Sequence, residues 1–196
     1  MLKDLVKKTV DLYQRTGWKK TFSKIRFWDA PYVEVEKVVP KSGRIFDIGC
    51  GEGIFSNFLG LSSSRRKVFG VEIDKKRLAT ADHGVRNVSF IWEDALKFNF
   101  KNADSVTLFH LLHHLPSRKS QKELVKRISK NIKTGGKLIV VEVSERPLLK
   151  YMVSWLTDTF VVPVLFERKL FSGNIYYRKD NDWRDLLIEH GFNVKF

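Results

Sequence analysis

The sequence RIFDIGCGEGIFSNFLG, residues 44–60, joins an apolar run to a glycine-rich turn and then to a second apolar segment. Residues 44–48 are rich in β-branched and aromatic side chains, as in a buried strand. Glycines follow at alternate positions, Gly49, Gly51 and Gly53. Glycine lets the backbone approach a ligand closely, and the N-terminus of the next helix favours a negative group. The stretch predicts a strand, turn and helix of the nucleotide-binding type.

Apolar runs alternate with helical patterns from residue 44 to about residue 143, which indicates βαβ units on a parallel sheet. We therefore expect an α/β fold of the Rossmann-like, doubly wound type, with a mostly parallel sheet and helices on both faces. Asp74 is a candidate N-cap for the second helix, Ser120 and Glu123 have capping-box spacing, and Gly135-Gly136 should end the third helix. The predicted strands are 44–48, 67–72, 88–92, 104–110 and 137–143, and the helices between them are 54–60, 75–82 and 120–132.

The length of 196 residues suits one domain. Within that domain, residues 1–40 are predicted to form a basic N-terminal helical arm, with an amphipathic helix over 2–13, and residues 44–143 form the core. An apolar insertion follows the fifth strand over 144–178. The segment 180–196 ends the domain, with a helix over 181–190 and a strand over 192–196.

The net charge of +14 is concentrated in two stretches. Residues 1–26 contain eight basic and two acidic residues, and residues 117–137 contain eight basic residues against Glu123 alone. Such clusters favour a polyanionic partner, either RNA or anionic lipid headgroups. The alternative is a lysine-rich solvated helix face that serves solubility.

Several classes of protein do not fit the composition. Cys50 is the single cysteine, so an internal disulfide and a cysteine-based zinc site are not available, and we expect no metal. Charged residues interrupt the N-terminal apolar positions, unlike a signal peptide. The longest apolar run, 160–166, is far shorter than the roughly 20 residues of a membrane span. These features indicate a soluble cytoplasmic protein.

Asp47 to Gly53 resembles motif I of class I S-adenosylmethionine (AdoMet)-dependent methyltransferases. The third glycine falls one residue earlier than in the dinucleotide turn G-x-G-x-x-G, because position 54 is Ile. Later parts of the sequence are similar to the further landmarks of the family. They are Glu72 at the end of the second strand, Glu93-Asp94-Ala95, residues 104–115 and residues 133–138. They read most like the small-molecule, type 11-like branch of the family.

The resemblance implies an enzyme that binds AdoMet and releases S-adenosylhomocysteine. It assigns Asp47 to the methionine amino group, Glu72 to both ribose hydroxyls, and Asp94 with the following backbone amide to adenine. Ile73 is expected to pack either on the adenine face or in the core. For the two aspartates a structural role is the alternative: Asp47 could cap the turn, and Asp94 could be an N-cap. The candidate cofactor-binding residues are Asp47, Gly49, Cys50, Gly51, Gly53, Glu72, Ile73, Asp94, Ala95 and Phe109.

Methyl transfer requires alignment of the acceptor with the S–CH3 axis and a base where a proton must leave. The candidate catalytic residues are His110, closest to the expected methyl position, and His114, which matches a histidine common in the small-molecule branch. Both belong to a cluster with His113. The alternative is that these histidines cap or fill the strand end, and the sequence identifies no carboxylate that would orient them.

The N-P-P-[YFW] tetrad of amino-directed nucleic-acid and protein methyltransferases is absent, because residues 108–111 read LFHL. We therefore predict methyl transfer to O or N of an apolar or lipid-linked small molecule, with RNA as the second choice and a non-catalytic methyltransferase-like binding subunit as the third. Residues 148–171 and the basic N-terminal helix are predicted to form a lid that lets the enzyme work at an anionic membrane surface, peripherally at the inner face. The alternative is that these side chains close over a soluble acceptor or pack on the sheet. The antiparallel strand that usually follows a segment such as 192–196 is missing. Either the sequence is truncated, or a rearranged N-terminus or another chain, as in a homo-oligomer, covers the open sheet edge.

Overall fold

The computed structural model describes residues 2–13, 17–143 and 175–195. Three helices precede the sheet, three more lie along its crossovers, and another follows the undescribed range 144–174. A 3₁₀ turn occupies Leu112–His114. The helices are α1 Leu2–Leu12, α2 Gly17–Asp29, α3 Tyr32–Val38, α4 Ile54–Ser62, α5 Lys75–Leu78, α6 Arg118–Asn131 and α7 Asp180–Glu189.

In the described part of the chain the sheet has five strands, β1 Gly43–Ile48, β2 Arg66–Glu72, β3 Val88–Trp92, β4 Ala103–Phe109 and β5 Ile132–Val141, in the order β3-β2-β1-β4-β5. The pairs β1 with β2, β1 with β4, and β2 with β3 are parallel. This order places the carboxyl ends of β1 and β2 side by side, where ligands bind in open α/β sheets. The predicted Rossmann-like α/β class is confirmed.

The core lies around the central strands, whose apolar side chains are covered on both faces. Ile45, Val68 and Leu108 are at most 1% exposed, as expected for strands of a parallel sheet that helices flank. Helix α4 is buried along most of its length and packs against β2 and β3, and α1 packs against α4. The helix that follows the glycine-rich turn is therefore fixed by the core.

A buried ion pair joins α3 to β2. Arg66 is fully buried, and its Nη1 lies 2.9 Å from Oε1 of Glu36. The remaining guanidinium protons reach the backbone carbonyls of Pro40, Leu59 and Val39. Because a buried charge is tolerated only when paired and hydrogen-bonded, this network makes the contact between the N-terminal helices and the sheet specific.

Contacts between residues divide the chain into two compact units. One unit consists of Met1–Leu108 and Asn131–Ile139, and the other of Phe109–Lys130 and Val140–Phe196. The glycine-rich turn and the ends of β1, β2 and β3 belong to the first unit. The histidine cluster belongs to the second unit. The prediction that residues 1–196 form one domain stays a prediction.

Several predicted boundaries differ from the structure. The helix predicted over 75–82 ends at Leu78, although Asp74 caps it as expected by accepting from the amides of Lys76 and Arg77. The capping box at Ser120 is wrong: α6 begins at Arg118, and Oγ of Ser117 accepts from the Ser120 amide.

The end of the core differs as well. The Gly135-Gly136 pair lies inside β5, which spans 132–141 instead of 137–143. The strand predicted over 192–196 is wrong for residues 192–195, which form no regular secondary structure. Most of the predicted apolar insertion, residues 144–174 and with them 148–171, lies outside the described residues.

Candidate cofactor site and histidine cluster

The glycine-rich turn folds back onto the end of β2. The amides of Gly49 and Cys50 both donate to the Val71 carbonyl, at 2.8 and 3.1 Å. Gly51 and Gly53 adopt φ of 56° and 72°, in the left-handed region that side chains disfavour. A Cβ at Gly51 would lie 2.5 Å from Nη2 of Arg77, and one at Gly53 would lie 2.6 Å from the Phe90 ring. Only glycine therefore fits these two positions without displacing a neighbour.

Glu72 is buried at the end of β2, with its carboxylate over the turn. Its Oε2 accepts from the Gly51 amide, and its Oε1 accepts from the amides of Ile73 and Asp74, each at 2.9 Å. An ionised carboxylate offers about four lone-pair sites, so roughly one remains, on Oε2. The group is thus oriented before any ligand binds, and it retains room for one further donor.

Asp47 is 2% exposed and lies between Gly70 of β2 and Thr107 of β4 in the sheet register. Its Oδ2 accepts from Ser56 Oγ at 2.6 Å, and its Oδ1 accepts from Thr107 Oγ1 at 3.0 Å. Burial raises the pKa of Asp47 to about 6, although these two hydrogen bonds partly oppose that effect. An uncompensated negative charge at this position favours a cationic ligand group.

The end of β3 supplies the residues predicted to face adenine. Ile73 is 62% exposed, so the alternative that it packs in the core is wrong. Oδ1 of Asp94 accepts from the Leu96 amide at 2.9 Å, as the N-cap alternative expected. Among the described residues Oδ2 of Asp94 has no hydrogen-bond partner, so a cap and a ligand contact are compatible. Ala95 is half-buried in the same turn.

Sequence reasoning missed a set of side chains that hold the turn in place. Glu52 pairs with Arg77 through two contacts of 3.1 and 3.2 Å. The Glu52 carbonyl accepts from the Tyr13 hydroxyl at 2.8 Å, and that hydroxyl accepts from Asn57 Nδ2 at 2.9 Å. These contacts join α1, α4 and α5 to the turn. No local pattern could have revealed them, because they connect residues up to 44 positions apart.

Cys50 is half-buried beside this network. Burial, together with the neighbouring carboxylates, raises the pKa of its thiol well above its ordinary value. A protonated thiol is a poor nucleophile, so Cys50 contributes a small side chain and not covalent chemistry. Within the described ranges, no group of three or more His, Cys, Asp or Glu side chains is arranged to hold a metal ion.

The second unit contains the histidine cluster and a carboxylate that orients it. Glu142, directly after β5, accepts from the Leu112 amide at 2.8 Å and contacts Nδ1 of His113 through its other oxygen. His113 is fully buried and stacks on Tyr177 at 5.0 Å. The orienting carboxylate that the sequence could not identify is therefore Glu142, and its partner is neither of the two predicted catalytic histidines.

His110 and His114 differ in their surroundings. His110 follows β4 directly, is half-buried, and has a φ of 49°, a strained value for a residue with a side chain. Its amide donates to the Val141 carbonyl at 2.9 Å, which fixes this conformation. Strain of this kind is concentrated at functional sites. His114 is exposed, and Phe109 is buried at the end of β4.

A family model for a methyltransferase domain matches residues 20–195, nearly the whole chain. The chain belongs to the class I AdoMet-dependent methyltransferases. This assignment confirms the resemblance drawn from residues 44–143, AdoMet as the cofactor, and the prediction that the chain is an enzyme. The roles of the individual site residues stay predictions.

Solved structures share the fold of this methyltransferase at low sequence identity. An AdoMet-dependent methyltransferase from Methanosarcina mazei is 21% identical, with a TM-score of 0.63 over 83% of this chain and 85% of that one. The human N-acetylserotonin methyltransferase is 20% identical, with a TM-score of 0.67 over 89% of this chain and 50% of that one. CalS10, an amino pentose methyltransferase from Micromonospora echinaspora, is 24% identical, with a TM-score of 0.52 over 59% of this chain and 51% of that one.

The methyltransferase thus matches only about half the length of two of these proteins. A search of curated protein sequences gave no match. Among the described residues, no helix is both long and apolar enough to cross a membrane.

Proposed function

We propose that this methyltransferase transfers a methyl group from AdoMet to an oxygen or nitrogen of an apolar or lipid-linked small molecule. The observation that carries the proposal is His110, a half-buried imidazole in strained backbone directly after β4. An imidazole can act as a general base: it can take the proton of a hydroxyl acceptor, or the proton of the ammonium that forms when a neutral amine is methylated. The LFHL sequence of residues 108–111 supports a small-molecule acceptor over an amino group on a base.

The residues at the carboxyl ends of β1, β2 and β3 fit AdoMet. When bound, AdoMet supplies an electrophilic methyl group on a sulfonium. Glu72 keeps one lone pair on Oε2 for a ribose hydroxyl, and a bond to the second hydroxyl would replace one of its three amide donors. Asp47, buried and acidic, suits the methionine ammonium. Oδ2 of Asp94 suits the exocyclic amine of adenine, and Ile73 offers an exposed apolar side chain for the ring.

Replacement of Glu72 tests the cofactor site. Glu72→Ala removes a charge-assisted acceptor, so AdoMet and S-adenosylhomocysteine should bind more weakly by about 1.5–3 kcal/mol in calorimetry. Glu34→Ala is the matched control, because Glu34 is an exposed acid on α3. Unchanged affinity in Glu72→Ala, or tight binding of NAD by the wild type, would overturn the site.

The histidines are tested by kinetics. If His110 is the base, His110→Ala should lower kcat by roughly 10²- to 10⁴-fold with AdoMet affinity nearly intact, and His114→Ala should do less. Equal and small effects would mean that alignment of the acceptor, and not proton transfer, limits the reaction.

RNA remains a second candidate acceptor because of the surface of α6. Lys122, Lys133 and Lys137 of the basic 117–137 cluster contact Glu189, Asp104 and the Val38 carbonyl. The exposed Lys119, Lys126 and Lys130 lie along one side of α6, as phosphate contacts require. Methylation of extracted lipids compared with bulk RNA, with labelled AdoMet, distinguishes the two acceptors: transfer to RNA alone would reject the small-molecule proposal.

A further inference from the structure

Helix α2 carries an apolar face that nothing covers within the described part of the chain. Trp28 is 87% exposed and Ile25 is 47% exposed. Together with the exposed Thr21 and Lys24 they have the i, i+3, i+4, i+7 spacing of one side of a helix, so the four side chains form one surface, the α2 outer face. A tryptophan is usually buried over most of its area, and such exposure of so large a side chain calls for an explanation.

The opposite side of α2 is anchored in the first unit. Ser23 is fully buried, and Phe27 contacts the rings of Tyr32 and Phe58 edge-on at 5.4 and 5.1 Å. The Arg26 guanidinium lies over the Tyr32 ring at 5.9 Å. The helix is therefore held mainly by its inner side, and Trp28 leaves most of its surface outside that packing.

We propose that the α2 outer face docks the enzyme onto an anionic lipid surface, with Trp28 and Ile25 at the boundary between headgroups and acyl chains. Tryptophan prefers this boundary because its ring is apolar while its N–H remains hydrated. Lys24 lies one helical turn before Trp28 and can meet a lipid phosphate. The surrounding sequence supports the charge match, since residues 1–26 carry eight basic and two acidic residues.

The size and shape of the face favour lipid over a protein partner. A stable protein interface buries about 800 Å² on each side, which is more than two apolar side chains on one helix provide. An RNA backbone would be attracted to Lys24 but would gain little from Ile25. Interfacial helices present apolar and aromatic side chains to the membrane next to basic residues, as Trp28 and Ile25 lie next to Lys24.

This inference deepens the proposed function, since an enzyme held at a lipid surface can reach a lipid-linked acceptor. Its test measures binding to vesicles and not methyl transfer, so the two proposals can fail separately.

The experiment is cosedimentation of the full chain with vesicles of phosphatidylcholine, with or without about 30% phosphatidylglycerol. Binding should require the anionic lipid and weaken as salt rises. Trp28→Ala should reduce the partition coefficient about tenfold or more, and Lys24→Gln about fivefold. Ile25→Ala should reduce it severalfold, while Ile188→Ala, which alters a 50% exposed isoleucine on α7, should leave it unchanged.

A second measurement does not depend on a disruptive variant. Brominated lipid should quench wild-type tryptophan fluorescence, and the quenched component should disappear in Trp28→Phe, which keeps an apolar ring. Wild-type binding by Trp28→Ala would overturn the inference. So would loss of binding in Trp155→Ala alone, which would assign the contact to residues 148–171. Binding to tRNA but not to vesicles, or dimerisation through Trp28 without lipid affinity, would also reject it.

Discussion

Replacement of Asp47 by asparagine should stabilise the cofactor-free enzyme and weaken its affinity for AdoMet. Asp47 is 2% exposed, and burial raises its pKa from 3.8 to about 6. In the unfolded chain the same carboxyl ionises near its ordinary pKa. The folded state therefore holds this proton more tightly than the unfolded state does. The resulting stability is fully present below pH 4 and is lost as the pH rises towards 6.

The pKa difference sets the size of the effect. About two pKa units correspond to roughly 3 kcal/mol, by which ionised Asp47 destabilises the fold above pH 6. Asparagine is nearly isosteric and can preserve both hydrogen bonds. Its carbonyl accepts from Ser56, and its amide can donate to Thr107 Oγ1, whose proton then turns to the Phe46 carbonyl at 3.4 Å. We expect Asp47→Asn to be more stable at pH 8 by up to about 3 kcal/mol, and similar to the wild type at pH 4.

Urea denaturation without cofactor, repeated from pH 4 to pH 8, measures this difference. Asp104→Asn is the matched control with the opposite sign. Partial burial raises the pKa of Asp104, but the bonds from Lys133 and from the Arg44 amide outweigh burial and leave the pKa below its ordinary value. That variant should lose stability above pH 4. A gain for Asp47→Asn that is the same at every pH, or a loss at pH 8, would refute the reasoning.

Two further predictions concern buried charges. Arg66→Met should lower the free energy of unfolding by about 3 kcal/mol in urea, because it leaves the buried Glu36 with only the half-exposed Lys41 as an ion-pair partner, and addition of Glu36→Gln should recover part of the loss. Glu142→Gln should lower kcat with AdoMet affinity unchanged and should speed hydrogen exchange at the Leu112 amide, because the carboxylate that holds His113 is lost. Identical exchange and kcat in that variant would show that the pair does not position the histidine cluster.

The strands and the glycine-rich turn could be predicted from sequence because their causes are local. Buried strands of a parallel sheet are largely apolar, and residues 45–48 are all buried, with Asp47 as their one charged residue. Residues 88–92 form a strand as predicted, although β3 lies at the edge of the sheet and only Val88 is buried. Glycine is required at positions 51 and 53 because φ is positive there and because side chains of neighbouring residues leave no room for a Cβ atom. The glycines of the motif therefore indicate the backbone conformation of the turn. The resemblance of residues 44–143 to the motifs of the methyltransferase family then predicted AdoMet as the cofactor.

What could not be predicted depends on contacts between residues distant in sequence. Gly135 and Gly136 resemble a helix end locally, yet hydrogen bonding along the sheet extends β5 through them. Tyr13 meets the Glu52 carbonyl across 39 positions, and Glu142 meets His113 across 29. Neither pair leaves a periodic signal, so only the folded chain identifies Glu142 as the orienting carboxylate.

The contrast between local and long-range causes also explains why the sequence predicts the cofactor better than the acceptor. The proposed AdoMet site consists of strand ends whose geometry the α/β fold itself imposes, and hydrogen bonds within the protein already orient Asp47 and Glu72 there. A buried carboxylate that destabilises the empty protein is retained when it serves binding, since selection acts on function above a stability threshold. Under the proposed function, acceptor choice would depend instead on side chains of the second unit such as His110 and on the apolar residues between 144 and 174, and such positions are not dictated by the geometry of the sheet. Variation there changes the substrate without changing the fold.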